Sequence, residues 1–330
     1  MGENREILLQ AEGVYKEFPT AKKGQKVHAV NGVNLTIYKG ETLALVGESG
    51  CGKSTLGRTL IHMLPVTDGV VTFKGQEISS MDEKSFRPLR PRLQMVFQDP
   101  YASLDPRMTV RDIIAEPLET YHVCKNRAET TQRVLELMKA VGVPAEFQNR
   151  YPHQFSGGQR QRIGIARAIA LQPELIVCDE PVSALDVSVQ SQVLNLLKDL
   201  QQQYGLTYLF IGHDLSVINF IADRVCVMFL GNVCEVASKD DLYREPFHPY
   251  TEFLMDAIPQ ADPHRKGEHR KVLTGEIPSP VNPPSGCCFH TRCPYATELC
   301  SKERPELKYV EGRYVACHHV DQVRAGHKEG

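Results

Sequence analysis

The most informative segment of the sequence is Gly47-Glu48-Ser49-Gly50-Cys51-Gly52-Lys53-Ser54-Thr55. It follows the apolar run 42–46 and precedes apolar residues at helical spacing, which predicts a glycine-rich turn from a buried strand to a helix. The stretch matches G-x-x-x-x-G-K-[ST] in the context that this motif requires. Glycines let backbone N–H groups converge on a polyphosphate, and a helix N-terminus adds partial positive charge. We therefore predict a nucleotide site, with Lys53 on the terminal phosphates and Ser54 on Mg²⁺, against the alternative of a plain glycine turn with a solvated lysine.

Length and composition fit a soluble globular protein. The 330 residues suffice for one large domain or two smaller ones, and hydrophobic and charged residues make up 42% and 24% of them. The net charge of −2 offers no basic surplus for nucleic acid. The N-terminus has no basic-then-apolar signal, and no run approaches the ~18 apolar residues of a spanning helix. We expect a cytoplasmic protein that reaches a membrane only through a partner.

Antiparallel strands are predicted before the glycine-rich turn. Residues 6–40 carry partly alternating apolar positions broken by glycines, and 69–75 looks like another strand of the same sheet. Tyr15 and Phe18 are candidate faces for an adenine ring, with packing in the core or at an edge as the alternative.

A helical block is predicted in the middle of the chain. Residues 93–98 favour a strand that ends in the polar Gln98, whereas 109–122 and 126–142 have helical patterns. Because the flanks alternate strand and helix, we interpret about 99–170 as a helical insertion in an α/β core.

Two polar clusters follow this block. Ser156-Gly157-Gly158-Gln159 opens a helix, with Ser156 placed as its cap and the glycines baring backbone donors. Taken alone it is weak evidence for an anion site. The apolar run 175–180 ends in Asp179 and Glu180, at the strand end where parallel sheets bind ligands. Asp179 fits an Mg²⁺ ligand, and Glu180 is placed to polarise water.

The remainder of the core alternates helix and strand. A turn and then an amphipathic helix are predicted over 183–204, with Gly205 as the stop of the helix. A strand at 207–211 follows and leads to His213. A hairpin around Gly231-Asn232 closes the core near residue 240.

The last ninety residues change character. Prolines concentrate there, and we interpret the charged stretch 264–271 as a solvated linker. Five cysteines lie within the last 44 residues, and in a cytosolic protein such a cluster favours metal or Fe–S ligation over disulfides. The other five are scattered and are interpreted as small buried hydrophobes: Cys51, Cys124, Cys178, Cys226 and Cys234.

Taken in order, these motifs resemble the ATPase subunit of an ABC transporter over residues ~5–240. They would be its Walker A, Q-loop, signature, Walker B, D-loop and H-loop: 47–55, Gln98, 156–159, 175–180, 183–186 and His213. Phe155 stands where the family often has Leu, a mild departure because both residues are apolar.

A closer resemblance covers the whole chain. The segments 46–55, 97–100, 150–159, 179–189 and 248–251, together with the tail 275–287, are similar to the oligopeptide/dipeptide importer ATPases, as in the F members of the OppD/OppF and DppD/DppF pairs. This resemblance implies a P-loop NTPase (RecA-like) α/β core over 5–240, with an antiparallel β subdomain and a helical signature subdomain. It also implies a small Cys-rich extension over 241–330.

The resemblance also implies partners. Such a subunit forms a heterodimer with a homologous ATPase subunit on the cytoplasmic face of the membrane. The pair binds peripherally to two transmembrane permease subunits. These receive peptides from an extracytoplasmic binding protein. Alternatives are a nickel importer ATPase, a soluble ABC ATPase acting on DNA or ribosomes, and a regulatory subunit that binds ATP without hydrolysing it.

Residue roles are implied in the same way. Two subunits would sandwich ATP, each phosphate loop facing the partner's signature. Glu180 would be the general base, His213 would contact the γ-phosphate, and Gln98 would sense Mg²⁺ and the attacking water. Ser54 and Asp179 would hold Mg²⁺. Phe18 best matches the adenine-stacking position, with Tyr15 as fallback.

The cysteines of the tail form a pattern of their own. Cys287, Cys293, Cys300 and Cys317 give C-x5-C-x6-C-x16-C, which resembles the peptide-importer tails and implies a [4Fe–4S] cluster. Spacing alone does not separate this cluster from Zn²⁺, and free or disulfide-bonded thiols are a further alternative. Cys288 could replace Cys287 as a ligand.

Overall fold

The computed structural model describes residues 5–22, 24–257 and 276–328. The predicted linker 264–271 and Gly275 of the tail motif lie outside these residues. The chain divides into two compact units. The first unit comprises Met1–Ile37, Thr42–Ser80 and Gly212–Gly330, and the second comprises Tyr38–Glu41 and Met81–Ile211.

Strands and helices alternate along most of the described chain. The strands are β1 (Ile7–Pro19), β2 (Lys26–Tyr38), β3 (Thr42–Val46), β4 (Asp68–Phe73), β5 (Gln76–Glu77), β6 (Leu93–Val96), β7 (Leu175–Asp179), β8 (Thr207–Ile211), β9 (Arg224–Phe229), β10 (Asn232–Ser238), β11 (Lys308–Val310) and β12 (Arg313–Val315). The helices are α1 (Lys53–Leu60), α2 (Glu83–Phe86), α3 (Val110–Thr120), α4 (Arg127–Ala140), α5 (Gly157–Ile169), α6 (Val187–Tyr204), α7 (Leu215–Ile221), α8 (Lys239–Arg244), α9 (Pro249–Asp256), α10 (Glu298–Lys302) and α11 (Val320–Lys328).

The first unit contains an antiparallel sheet in the order β2-β1-β4-β5. β1 pairs antiparallel with β4 from Leu9 opposite Phe73 onward, and the register shifts between Glu12 and Tyr15. This sheet confirms the strands predicted before the glycine-rich turn and the strand predicted at 69–75. Buried positions alternate along β2, which explains why this segment forms a strand of the sheet: a period of two places the apolar side chains on one face.

A second group of strands in the first unit runs in the order β11-β12-β10-β9-β3. β3 is buried at all five residues and pairs in parallel with β9. β9 and β10 form the predicted hairpin, but its turn is Leu230-Gly231 and not Gly231-Asn232. Both turn residues have left-handed φ angles, +45° and +74°, as a two-residue turn of this kind requires. Asn232 instead begins β10, and its side-chain amide donates to Leu230 O at 2.6 Å.

The last ninety residues contribute strands to this group. β12 pairs antiparallel with β10, and β11 pairs with β12. The strand order therefore continues from residues before 240 into residues after it. The predicted domain boundary at 240 stays a prediction.

The second unit carries the predicted helical block and three parallel strands in the order β8-β7-β6. α3 and α4 match the helices predicted at 109–122 and 126–142, and the apolar stripe of α4 is buried at Val134, Leu137 and Met138. α6 ends at Gly205, whose φ of +65° provides the left-handed stop that the sequence predicted.

Candidate nucleotide site

The glycine-rich turn leads from β3 directly into α1. Gly52 is the residue before the helix and has a φ of +101°. A Cβ at this position would lie 2.0 Å from the backbone oxygen of Ala29, so both the φ angle and the space require glycine. No side chain caps α1, which leaves its N-terminus facing the loop itself. This is the arrangement that binds phosphate at a helix start.

Lys53 folds back onto its own loop. The residue is 5% exposed, and its ammonium donates to Gly47 O at 2.8 Å and to Glu48 O at 3.0 Å. These carbonyls place the cation inside the loop, where an incoming polyphosphate would compete for it. The role of Lys53 on the terminal phosphates stays a prediction.

Glu48, also in this loop, contacts the C-terminal part of the chain. Its carboxylate accepts three hydrogen bonds from the guanidinium of Arg292, the shortest at 3.0 Å. Its backbone N–H donates to the hydroxyl of Tyr250 at 2.8 Å. Glu48 was predicted as a residue of the nucleotide-binding loop, but its carboxylate binds the guanidinium of Arg292.

The first unit also contains His213 and the two candidate adenine-binding aromatic residues, Phe18 and Tyr15. His213 is exposed and follows Gly212, whose N–H donates to Leu45 O of β3 at 3.2 Å. Phe18 is half-buried, with the Lys16 ammonium 5.1 Å from its ring centroid. Tyr15 lines a cavity of about 430 Å³ together with Asn34, His248 and Arg304. The adenine role of either aromatic ring stays a prediction.

In the second unit, the structure brings Gln98 and Glu180 together. The Gln98 amide donates to Glu180 Oε2 at 3.0 Å, although 82 residues separate them. Asp179 is fully buried at the end of β7. Glu180 has a left-handed φ of +44°, which is uncommon for a residue with a Cβ and recurs at functional sites. Its N–H donates to Ile211 O at 3.0 Å, which fixes the turn beside the end of β8.

The Ser156–Gln159 cluster forms the predicted helix start. The Gln159 N–H donates to Ser156 Oγ at 3.3 Å, and the Ser156 N–H donates to Gln159 Oε1 at 3.0 Å. This is a reciprocal capping box at the start of α5. A Cβ at Gly158 would lie 2.2 Å from a methyl group of Val189, so glycine lets α5 approach the first turn of α6.

The cysteines of the tail lie near one another as free thiols. Burial, followed by the charge of neighbouring thiols, raises the pKa of Cys287 to about 12 and those of Cys293 and Cys317 to about 11. Cys300 is 6% exposed. Among the described residues, however, no group of three or more His, Cys, Asp or Glu side chains is placed to hold a metal ion. The predicted [4Fe–4S] or zinc site therefore stays a prediction.

Four of the five scattered cysteines are buried as predicted, and Cys124 is half-buried. Cys234 also belongs to the tail's surroundings, since it lines the same cavity as Cys287 and Cys288. Burial raises its pKa, and the nearby Cys288 thiol adds to the shift.

The sequence reasoning missed Tyr250 and Arg292 as neighbours of the phosphate loop. Tyr250 lies in the segment 248–251, which supported the resemblance but had no assigned role. Arg292 stands just before Cys293, and nothing in its local sequence indicates a contact 244 residues away.

Two family models match the chain. The model described as ABC transporter matches residues 30–183, and the oligopeptide/dipeptide transporter C-terminal region matches residues 234–300. The chain is 52% identical to the oligopeptide transport ATP-binding protein AppF of Bacillus subtilis, covering 96% of this chain and 98% of the relative. It is 51% identical to the oligopeptide transport ATP-binding protein OppF of Escherichia coli, covering 97% and 98%.

Solved structures agree with the fold. The ATP-binding cassette MJ0796, described as a dimeric post-hydrolysis state bound to ADP and Pi, is 30% identical with a TM-score of 0.65. That match covers 70% of this chain and 99% of the cassette. CbiO1 from Clostridium perfringens, part of the ABC transporter complex cbiONQ, is 27% identical with a TM-score of 0.64, covering 73% and 92%. Both support the predicted P-loop NTPase core. Among the helices of the described residues, none combines the length and the hydropathy of a membrane-spanning segment.

Proposed function

The chain belongs to the ATP-binding subunits of oligopeptide ABC transporters, and we propose that it hydrolyses ATP with Glu180 as the general base to energise peptide import. Membership of this family means that the subunit uses ATP and Mg²⁺. The observation that carries the assignment of the base is the 3.0 Å contact between Gln98 and Glu180 at the strand ends of the second unit.

Binding of the phosphates would fall to the loop 47–55. Phosphoryl transfer needs positioning and charge neutralisation more than covalent chemistry. Lys53 already lies inside the loop, and it would exchange the carbonyls of Gly47 and Glu48 for phosphate oxygens. Ser54 begins the helix with Lys53 and would be an Mg²⁺ ligand. Asp179, buried at the end of β7, would be the carboxylate ligand.

Activation of the attacking water would fall to Glu180. A carboxylate held by a neutral amide stays an acceptor, and Gln98 orients it without neutralising its charge. His213 would hydrogen-bond the γ-phosphate, and its exposure leaves the ring accessible. Phe18 would stack on the adenine ring, with Tyr15 as the alternative.

Assembly would complete the site. We propose a heterodimer in which this subunit's loop faces the partner's signature, while Ser156, Gly157, Gly158 and Gln159 face the partner's nucleotide. The γ-phosphate would then draw donors from both chains, so ATP would favour the closed pair and hydrolysis would release it. The pair would lie on the cytoplasmic face of two permease subunits that receive peptide from an extracytoplasmic binding protein.

The tail would hold a metal centre. Support for a [4Fe–4S] cluster on Cys287, Cys293, Cys300 and Cys317 comes from their spacing and from the fact that all four are free thiols. Binding would release their protons and would require the side chains to converge further, since they form no metal-holding group here. Zinc is the alternative, and Cys288 is the alternative ligand to Cys287. Iron and acid-labile sulfide in an anaerobic preparation that absorbs at ~400 nm would support the cluster, whereas stoichiometric zinc would reject it.

The test of the base is Glu180→Gln in the assembled transporter. We expect peptide-stimulated hydrolysis at this site to fall by at least ~100-fold, while MgATP binding is retained. Glu119→Gln, on the exposed side of α3, is the matched control and should hydrolyse ATP at the wild-type rate. Unchanged single-site turnover in Glu180→Gln would reject Glu180 as the base. Uptake of Ni²⁺ without uptake of peptide by the wild-type complex would instead reject the peptide substrate.

A further inference from the structure

An acidic side chain lies in the loop that must bind a highly charged anion. Glu48 is the second residue of the phosphate loop, one residue after Gly47 and four before Gly52. A carboxylate beside a polyphosphate would oppose binding, because like charges repel strongly where protein excludes part of the water. The loop therefore needs a compensating cation other than Lys53, which must neutralise the phosphates.

Arg292 supplies that cation. Its two terminal nitrogens reach the Glu48 carboxylate in a fork, with Nη1 at 3.0 and 3.2 Å from the two oxygens and Nη2 at 3.3 Å. The Arg292 side chain is 6% exposed and that of Glu48 is 23% exposed, so the pair is largely shielded from solvent. The guanidinium also lies 5.8 Å from the ring centroid of Phe229, on the strand beside β3. Forked geometry and burial make this a defined contact and not a loose surface pair.

Tyr250 holds the backbone of the same residue. Its hydroxyl accepts the Glu48 N–H at 2.8 Å, and the residue itself is fully buried. The ring packs against Phe229 and Phe289, with centroids 4.8 and 5.4 Å away. Phe289 lies three residues before Arg292, and the Arg292 N–H donates to its carbonyl at 3.0 Å. One aromatic cluster thus supports both contacts to Glu48.

The carbonyl of Glu48 is the third group engaged. It accepts from the Lys53 ammonium at 3.0 Å. When phosphate draws Lys53 away, the Cys51 N–H still donates to the Glu48 carbonyl at 3.3 Å. Arg292 then still holds the Glu48 carboxylate, and Tyr250 still holds its N–H. The loop can then exchange the partner of its lysine without losing its shape.

We propose that Arg292 and Tyr250 are positioning residues of the ATP site, and that Arg292 sets ATP affinity by neutralising Glu48. The proposal rests on the loop 47–55 being the ATP-binding loop, as stated under Proposed function. It makes the C-terminal extension a working part of the nucleotide site. Neither residue touches the nucleotide, since each acts through Glu48.

The test is a double-mutant cycle in the full-length chain that neutralises the two charges, with Arg292→Gln, Glu48→Gln and the double variant. Because the protein has no Trp, affinity is measured as displacement of a fluorescent ATP analogue by MgATP. Arg292→Gln leaves the Glu48 charge uncompensated and should weaken MgATP binding by about tenfold or more. Glu48→Gln should stay within about threefold of wild type, and the double variant should recover to within about threefold.

Two further variants separate positioning from folding. Arg324→Gln removes another arginine of the extension, one that pairs with Glu311 and Glu245, and should leave MgATP affinity unchanged. Tyr250→Phe removes only the acceptor of the Glu48 N–H and should weaken MgATP binding by about three- to tenfold.

The outcomes are distinguishable. A double variant as weak as Arg292→Gln would show that Arg292 acts through folding and would overturn the proposal. Wild-type affinity in Arg292→Gln would overturn it as well. If the wild-type chain itself fails to bind MgATP, the proposed function fails and not only this inference.

Discussion

The phosphate loop and the C-terminal extension are built on different physical principles. The loop 47–55 relies on its backbone, and glycine at position 52 permits both its φ angle and its approach to Ala29 O. The extension relies on buried side chains, among them Arg313, His248 and Cys300. A loop that is defined by its backbone conformation needs certain residues at a fixed spacing, so it can be recognised from sequence. Contacts between buried side chains depend on which distant residues pack together, so they can be recognised only from the folded structure.

The extension is attached to β10 through a buried charge. Glu235 is fully buried, and its carboxylate accepts the N–H groups of Phe247 and His248 as well as the Arg313 guanidinium at 3.3 Å. Burial raises the pKa of Glu235, against the opposing effect of these donors and of Arg313. Arg313 also stacks 3.7 Å from the Phe247 ring centroid. Buried polar contacts thus hold the extension against β10, whereas the conformation of the loop 47–55 depends on its backbone.

The largest expected effect breaks the loop through its backbone. Gly52→Ala should lower the free energy of unfolding by about 4 kcal/mol, since a Cβ would meet a backbone oxygen that cannot move freely and the φ angle is unfavourable. MgATP binding should be lost with it. Gly50→Ala is the matched control, because Gly50 has a φ of +76° but open space around it. Equal urea midpoints for the two variants would contradict the role given to close packing.

A smaller effect is expected from the buried charge of the extension. Arg313→Met keeps an unbranched apolar stem but leaves Glu235 without its cation, which should cost about 3 kcal/mol in the free energy of unfolding. Urea denaturation measures this loss. Lys302→Met, which removes an exposed pair with Glu298, should leave the urea midpoint in place. Arg313→Met with wild-type stability would mean that shape alone holds the extension.

The smallest expected effect is a loss of stability at acidic pH, caused by the buried His248. His248 is 2% exposed, and burial lowers its pKa to about 3 from an ordinary 6.5. A lowered pKa means that the folded state favours the neutral ring. The free energy of unfolding therefore has its full value above pH 6.5 and decreases as the pH falls from 6.5 toward 3. At pH 5 the loss should be about 2 kcal/mol relative to pH 7.5.

Urea unfolding at the two pH values measures it. His248→Gln should be less stable at pH 7.5 but should lose less on acidification, whereas His153→Gln, an exposed control, should behave as wild type. If His248→Gln retained the full acid sensitivity, other groups would be responsible for it.

Much of the second unit could be predicted because its signals are local. Periodicity predicted α3 and α4, and the capping residues at Ser156 and Gly205 predicted where helices begin and end. The hairpin turn was misplaced by one residue because glycine and asparagine both favour left-handed φ angles. Here Leu230 adopts one instead, and Asn232 supports it through its side chain.

The phosphate loop, the nucleotide motifs and the family could be recognised from the amino-acid sequence, because each motif consists of residues close together in the chain. The contact of Gln98 with Glu180, and the contacts of Arg292 and Tyr250 with Glu48, became visible in the folded chain alone. These contacts join residues 82 to 244 positions apart, and they depend on how strands and an aromatic cluster pack. No local preference encodes such a meeting, since many sequence positions could supply an arginine or a tyrosine to the same place.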